Sequence, residues 1–166
     1  MTTVSYSSKI MTKLQALKAR DDIKSQGGRI VFTNGCFDLL HTGHLRYLAE
    51  ARGLGDFLFV GLNSDASVKR LKGDLRPVRD ETERAEMLAA LCLVDGVVLF
   101  PEDTPLELIV ALAPDVLVKG GDWSVSDIVG GPEVLAGGGE VKSLPFSAGY
   151  STTALIERVA KAYRPK

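Results

Sequence analysis

Phe57-Leu58-Phe59-Val60-Gly61-Leu62 has no polar residue on either of its alternating sets. A strand with that pattern needs cover on both faces, which parallel sheets obtain from helices packed on each side. Ile30-Val31-Phe32-Thr33, Gly96 to Phe100, Val116-Leu117-Val118 and Glu140 to Leu144 read as further strands. Between them the apolar spacing turns helical. Met11, Leu14, Leu17 and Ile23 mark a helix from Lys9 to Gln26, stopped by Gly27-Gly28. Leu45, Leu48 and Ala49 give one buried face to a helix opening near Gly43, and Ser64 to Leu71 is helical. Asp80 with Glu83 reads as a capping box for a helix through Leu91, and Thr104-Pro105-Leu106-Glu107 repeats the signature before a helix that stops at Pro114. Gly120 to Gly139 is glycine-rich with room for a short helix, and Ser151 caps a last helix carrying Leu155, Ile156 and Val159.

Strands alternating with helices predict an α/β fold: a single Rossmann-like, doubly wound, parallel five-stranded sheet. Counting strands from Ile30, the expected order is 3-2-1-4-5. Residues 1–8 read as a flexible tail and 9–166 as one domain, with no internal repeat.

A formal net charge of -1 argues against a strongly basic nucleic-acid-gripping surface. No apolar run reaches the length of a membrane span, and the polar start lacks a secretory apolar stretch. Cys36 and Cys92, far apart in apolar sequence surroundings, suit free thiols in a reducing compartment. A cytoplasmic enzyme or binding domain is the expectation.

In such sheets ligands bind beyond the carboxyl ends of the strands, where the strand order reverses. The chemically rich segments follow the first, fourth and fifth strands: Thr33 to His44, Lys119-Gly120-Gly121-Asp122-Trp123, and Ser147 to Thr153. The expected order makes those strands neighbours. His41 and His44, the only histidines, fall three apart at a helix start, beside its free N–H groups. Gly43 lets a ligand approach the backbone, as phosphate sites at helix N-termini require. Imidazole donors there suit a phosphate gaining charge during displacement. A polar helix start, or zinc held by Cys36, Asp38, His41 and His44, is the competing reading, although paired zinc spacing is absent. Lys69, Arg70, Lys72, Arg76 and Arg79 form a basic cluster, mostly a solvated loop, with Lys72 and Arg76 flanking Gly73 as phosphate clamps. Arg84, unfavourable in the first turn of its helix, calls for an anionic partner: a ligand or a plain salt bridge. Ser151-Thr152-Thr153 offers an anion site or an ordinary N-cap; Trp123 a base stack or core filling; Asp122 a ribose contact or a cap. No Ser/His/Asp nucleophile set stands out, so displacement without a covalent intermediate fits best.

Gly35-Cys36-Phe37-Asp38-Leu39-Leu40-His41-Thr42-Gly43-His44 resembles the signature of the cytidylyltransferase-like branch of the HxGH nucleotidyltransferases, and Tyr150-Ser151-Thr152-Thr153 resembles their second signature. Asn63-Ser64-Asp65, Leu71-Lys72-Gly73, Arg76-Pro77-Val78 and Val118 to Trp123 resemble the D-glycero-β-D-manno-heptose 1-phosphate adenylyltransferases within that superfamily. The resemblance implies AMP transfer from ATP to the sugar 1-phosphate, giving ADP-heptose, a lipopolysaccharide core precursor, and pyrophosphate. It implies catalytic His41, His44 and Lys72, and nucleotide binding by Thr33, Asn34, Gly35, Phe37, Gly43, Lys119, Gly120, Asp122, Ser151 and Thr152. Asp38, Arg76, Arg84 and Trp123 would serve the acceptor. Mg²⁺ would bridge the ATP phosphates without a metal site of the protein's own, and a homodimer is implied. Two departures stand out. Pro145-Phe146-Ser147 lacks the arginine that glycerol-phosphate cytidylyltransferases place before Ser-Thr-Thr, and Cys36 stands where relatives often carry Thr. The alternatives are a cytidylyltransferase for a polyol or alcohol phosphate, a nucleotide-binding module without turnover, and a structural zinc module.

Overall fold

A computed structural model describes residues 5–145 and 149–163. A 3-10 turn at Ser7–Lys9 leads into β1 (Ile10–Met11), α1 (Lys13–Ser25), β2 (Ile30–Gly35), α2 (Thr42–Arg52) and β3 (Phe57–Asn63). Then come α3 (Asp65–Lys72), α4 (Glu81–Ala89), β4 (Gly96–Phe100), α5 (Leu106–Leu112) and β5 (Val116–Gly120). A second 3-10 turn (Val125–Asp127) precedes α6 (Gly131–Ala136), β6 (Glu140–Leu144) and α7 (Thr152–Ala162).

All strand pairs are parallel, in the order β1-β4-β3-β2-β5-β6. The sheet thus has six strands, not five. The expected strands keep their order relative to one another, and Ile10–Met11 adds an edge strand on β4. Those two residues fall where the sequence predicts helix from Lys9. The helix starts later because of Thr12. Its hydroxyl accepts from Gln15 N–H at 3.2 Å while the Gln15 side chain accepts from Thr12 N–H at 2.8 Å. This capping box fixes the first turn at Lys13 and leaves Ile10 and Met11 extended.

Alternate strand residues feed two cores. Val31, Leu58, Val60, Leu62, Val97, Val116 and Val118 pack with Leu48 and Ala51 of α2 and Leu88 of α4. Ile30, Phe32, Phe59, Val98, Phe100 and Leu117 pack on the other face with Ala16 of α1, Leu108, Ile109 and Leu112 of α5 and Val134 of α6. Both faces are covered, as the unalternating β3 demands. The helix faces differ from expectation in detail. Leu14 is 78% exposed, and α1 turns Ala16 inward with Leu17, Ala19 and Ile23 partly covered. In α2 the inward residues are Gly43, Tyr47, Leu48 and Ala51, while Leu45 and Ala49 are exposed. Asp80 caps α4, accepting from Glu83 N–H at 2.9 Å, but Thr104 caps nothing: α5 opens after Pro105 without a side-chain cap. Cys92 is exposed, contrary to its apolar sequence surroundings, and Cys36 is half-buried; both thiols are free. No helix of the described residues is long and apolar enough to cross a membrane.

Candidate active site

The chain winds from β2 to β3 in one direction and to β5 in the other, so the order reverses between β2 and β5. Their carboxyl ends open the crevice in which ligands of such sheets sit. Asn34 and Lys119, one from each strand end, meet there: Lys119 Nζ lies 3.4 Å from Asn34 Oδ1. Burial, joined by the like charge of Lys72, pushes the Lys119 ammonium below its usual range. A cation held that way gains from any anion that enters.

His41 occupies the N-cap position of α2 in extended conformation, and its Nδ1 accepts from His44 N–H at 3.3 Å. An accepting Nδ1 assigns the proton to Nε2, leaving His41 an outward N–H donor. The His44 ring stacks on it with centroids 3.8 Å apart and planes 17° apart, and Phe37 lies 5.2 Å away on a tilted plane. Phe37 adopts φ 42°, a left-handed backbone unusual for an aromatic residue and typical of functional turns. Its ring would collide with any Cβ at Gly35, 3.0 Å away. Burial, with His41 adding, pushes His44 down to about 4, and burial also lowers His41. Both imidazoles are therefore neutral near pH 7. His44 Nδ1 is buried and has no hydrogen-bond partner among the described residues.

Gly43 also has a packing role. A Cβ there would sit 2.8 Å from Tyr150 Cβ and 3.0 Å from His41 Nδ1. Glycine lets the Tyr150 segment close onto the histidine pair, with the Tyr150 and His41 rings 6.4 Å apart and Arg46 5.3 Å over the Tyr150 ring. Ser151 then caps α7, accepting from Ala154 N–H at 3.0 Å, with Thr152 opening the helix behind it. The two signature segments thus meet at one place. Ser147 and Ala148 lie outside the described residues.

Several expected ligand contacts turn out to be braces. Thr33 is fully buried, its hydroxyl 2.5 Å from Tyr47 Oη, which also donates to Val118 O at 3.3 Å. Burial pushes the Tyr47 phenol up to about 12, so it remains a neutral bridge tying α2 to β2 and β5. Thr33 therefore offers no surface to a nucleotide. Asp38 is 2% exposed, and its carboxylate accepts from Arg76 Nε, Val78 N–H (2.7 Å) and Arg79 N–H (3.2 Å). The Arg84 side chain is wholly buried. It donates to Cys36 O at 2.6 Å, Asn63 O at 2.9 Å, Arg79 O at 3.1 Å and Asp65 Oδ1 at 2.7 Å. The anionic partner it called for is Asp65, which withdraws Arg84 from the acceptor site. Burial raises the Cys36 thiol against the pull of Lys72, Arg84 and Arg76, which favours its protonated form.

The remaining residues stand at the rim. Lys72 ends α3 exposed, and Gly73 follows at φ 92°. Trp123 is 49% exposed, not core; its Nε1 donates to Gly120 O and its N–H to Ser143 Oγ, each at 3.1 Å. Asp122 is exposed and caps no helix: Ser124 flanks the next turn. No three His, Cys, Asp or Glu side chains converge as metal ligands among the described residues. Tyr47 and Arg46 went unnoticed in the sequence, and Asp65 was marked there only as part of the Asn63-Ser64-Asp65 segment, without its role as the partner of Arg84. Tyr47 follows Gly43 by one helical turn on the buried face, the signal that could have marked it.

The stacked histidine pair and the buried Lys119 thus belong to the crevice at the switch point of the sheet. The chain belongs to the cytidylyltransferase-like family, whose model matches residues 32–158, and it is a nucleotidyltransferase. It resembles the bifunctional protein HldE: 59% identity over 139 residues with that of Citrifermentans bemidjiense (84% of this chain, 28% of that protein). With HldE of Shewanella amazonensis the identity is 53% over 150 residues (90% and 32%). The chain thus spans less than a third of the length of these curated relatives. The lipopolysaccharide core biosynthesis protein of Thermoplasma volcanium shares the structure at TM-score 0.60 and 31% identity, covering 73% of this chain and 98% of that one. Pantoate-β-alanine ligase of Francisella tularensis, at TM-score 0.60 and 15% identity (93% and 77% covered), shares the fold alone.

Proposed function

We propose that the chain transfers AMP from ATP to D-glycero-β-D-manno-heptose 1-phosphate, releasing pyrophosphate and ADP-heptose for lipopolysaccharide core synthesis. The observation that carries the reading is the stacked His41–His44 pair at the β2–β5 crevice that also holds Lys119, in a chain 53–59% identical to HldE relatives. A phosphate oxygen of the sugar attacks the α-phosphorus of ATP, and the bond from that phosphorus to the bridging oxygen of the β-phosphate breaks. Both electrons leave with pyrophosphate, so no protein nucleophile is needed. His41 Nε2–H and the His44 imidazole donate to oxygens that gain charge in the transition state. Lys119 and Lys72 neutralise the triphosphate, and the α7 N-terminus with Ser151 and Thr152 holds its β and γ phosphates. Asn34, Gly35, Phe37 and Gly120 line the nucleotide cleft. Trp123 and Asp122 stand at the acceptor and ribose edges, and Arg76 meets the acceptor phosphate.

With basic groups and no converging carboxylates among the described residues, Mg²⁺ fits as an ion carried on the ATP phosphates, lowering their repulsion. The reading also places the enzyme in the cytoplasm as a homodimer. A cytidylyltransferase acting on a polyol phosphate is the second reading, favoured by the family that the chain matches. Label at the α-phosphorus distinguishes them: transfer from ATP into a nucleotide-sugar supports the first, and transfer from CTP only, or to glycerol 3-phosphate only, replaces it.

A further inference from the structure

Resting on that reading, we infer that Asp38 is a positioning residue that seats the 73–79 loop, and with it Arg76 and Lys72, over the triphosphate and acceptor. The inference starts from an unusual concentration of bonds on one short loop. Asp38 brings a buried carboxylate against three donors of that loop: Arg76 Nε, Val78 N–H and Arg79 N–H. Arg79 is held a second time through its carbonyl, which accepts from buried Arg84 Nε at 3.1 Å. Arg84 in turn fixes Cys36 O, two residues before Asp38, at 2.6 Å. The histidine signature and the basic loop are therefore one clamped unit.

Apart from this clamp, the start of the loop is open to solvent. Gly73 begins the loop at φ 92° with nothing within 4 Å of its missing Cβ, and Leu75 is 93% exposed. The loop's backbone bonds at this end among the described residues are local: Gly73 N–H to Lys69 O of α3 (2.8 Å) and, within the loop, Arg76 N–H to Gly73 O (3.0 Å). Asp38 also spends only the Nε of Arg76, so the terminal guanidinium edge stays available at the rim, the side chain being 20% exposed. A carboxylate that orients a guanidinium while leaving its fork open does for an anion site what an orienting carboxylate does for a catalytic imidazole.

Limited proteolysis reads the seating without any acceptor, so it is independent of which sugar or base the enzyme uses. With full-length protein, Asp38→Asn keeps the shape but weakens three charge-assisted bonds. Cleavage at Leu75 by chymotrypsin, and after Lys72 or Arg79 by trypsin, should rise on the order of 10-fold or more, because cleavage follows the open population. Arg76→Ala, which leaves the two backbone bonds, should raise chymotryptic cleavage less, and Arg76→Lys should restore part of the protection; these cover the case in which Asp38→Asn does not fold. In turnover, Asp38→Asn should raise the acceptor KM, and adding Arg76→Ala to it should cost little more. Unchanged loop cleavage in folded Asp38→Asn, or fully additive losses with Arg76→Ala, would overturn the inference and make Asp38 a direct contact.

Discussion

Gly43→Ala separates packing from chemistry at the centre of the site. In the first turn of α2, alanine is the better helix former by about 1 kcal/mol, so secondary structure favours the change. The surroundings oppose it. A Cβ at 2.8 Å from Tyr150 Cβ is 0.6 Å inside ordinary contact at 3.4 Å, and at 3.0 Å from His41 Nδ1 it is 0.4 Å inside. Neither neighbour is a flexible side-chain tip. Relief moves the imidazole off its cap bond to His44 N–H, swings Tyr150 and Ser151 away, or both. Displacements of this size at reacting groups lower turnover by about 100-fold. Overpacking costs roughly 1–3 kcal/mol, partly offset by the helix gain, so net stability should change by about 1 kcal/mol. Pyrophosphate release under saturating substrates, with urea unfolding on the same preparation, makes the test. A folded variant turning over within 3-fold of wild type, by our ~100-fold expectation, would refute the close packing of the two signature segments.

Other expectations follow from the same geometry. His44 titrates at about 4 in the fold against 6.5 when free, so between those values the unfolded chain binds more protons. Stability should be full above that window and fall as pH drops through it, by up to about 1.4 kcal/mol per unit. His44→Ala should flatten that slope in urea titrations and cut turnover by about 100-fold; an unchanged slope would show that burial of His44 is not its source. Lys72→Ala should raise the nucleotide KM about 10-fold, one lost charge-assisted contact, and an unchanged ATP dependence would return Lys72 to the solvated loop. Lys9 Nζ donates to Leu91 O at 3.1 Å and Val94 O at 2.8 Å. Lys9→Ala should lower unfolding free energy by about 1–3 kcal/mol with turnover per folded molecule intact; a loss of activity instead would place the N-terminal strand in the site's support.

The doubly wound sheet was legible because β3 has no polar alternation and helical spacing separates the strands. The site's position followed, since the switch point depends only on strand order. The two-residue β1 was not legible: it lies on a helical apolar period, and only the Thr12–Gln15 box shows where the helix begins. Which of the expected site residues spend their polar groups inside the chain was not legible. Thr33 at the end of β2, Asp38 in the histidine signature and Arg84 in α4 spend their polar groups on Tyr47, the 73–79 loop and Asp65. Those partners lie 14 to 41 residues away in sequence, or sit on a helix face whose phase was misplaced, so local pattern could not reveal them.

The central claim is that the site joins an ATP α-phosphorus to a heptose 1-phosphate. Initial-rate pyrophosphate release with Mg²⁺ and D-glycero-β-D-manno-heptose 1-phosphate, run in parallel on ATP and CTP, tests it most directly. The account expects release with ATP, dependent on the sugar phosphate, and little with CTP. Release with CTP alone, or none with either nucleotide from a folded protein that binds ATP, would contradict it.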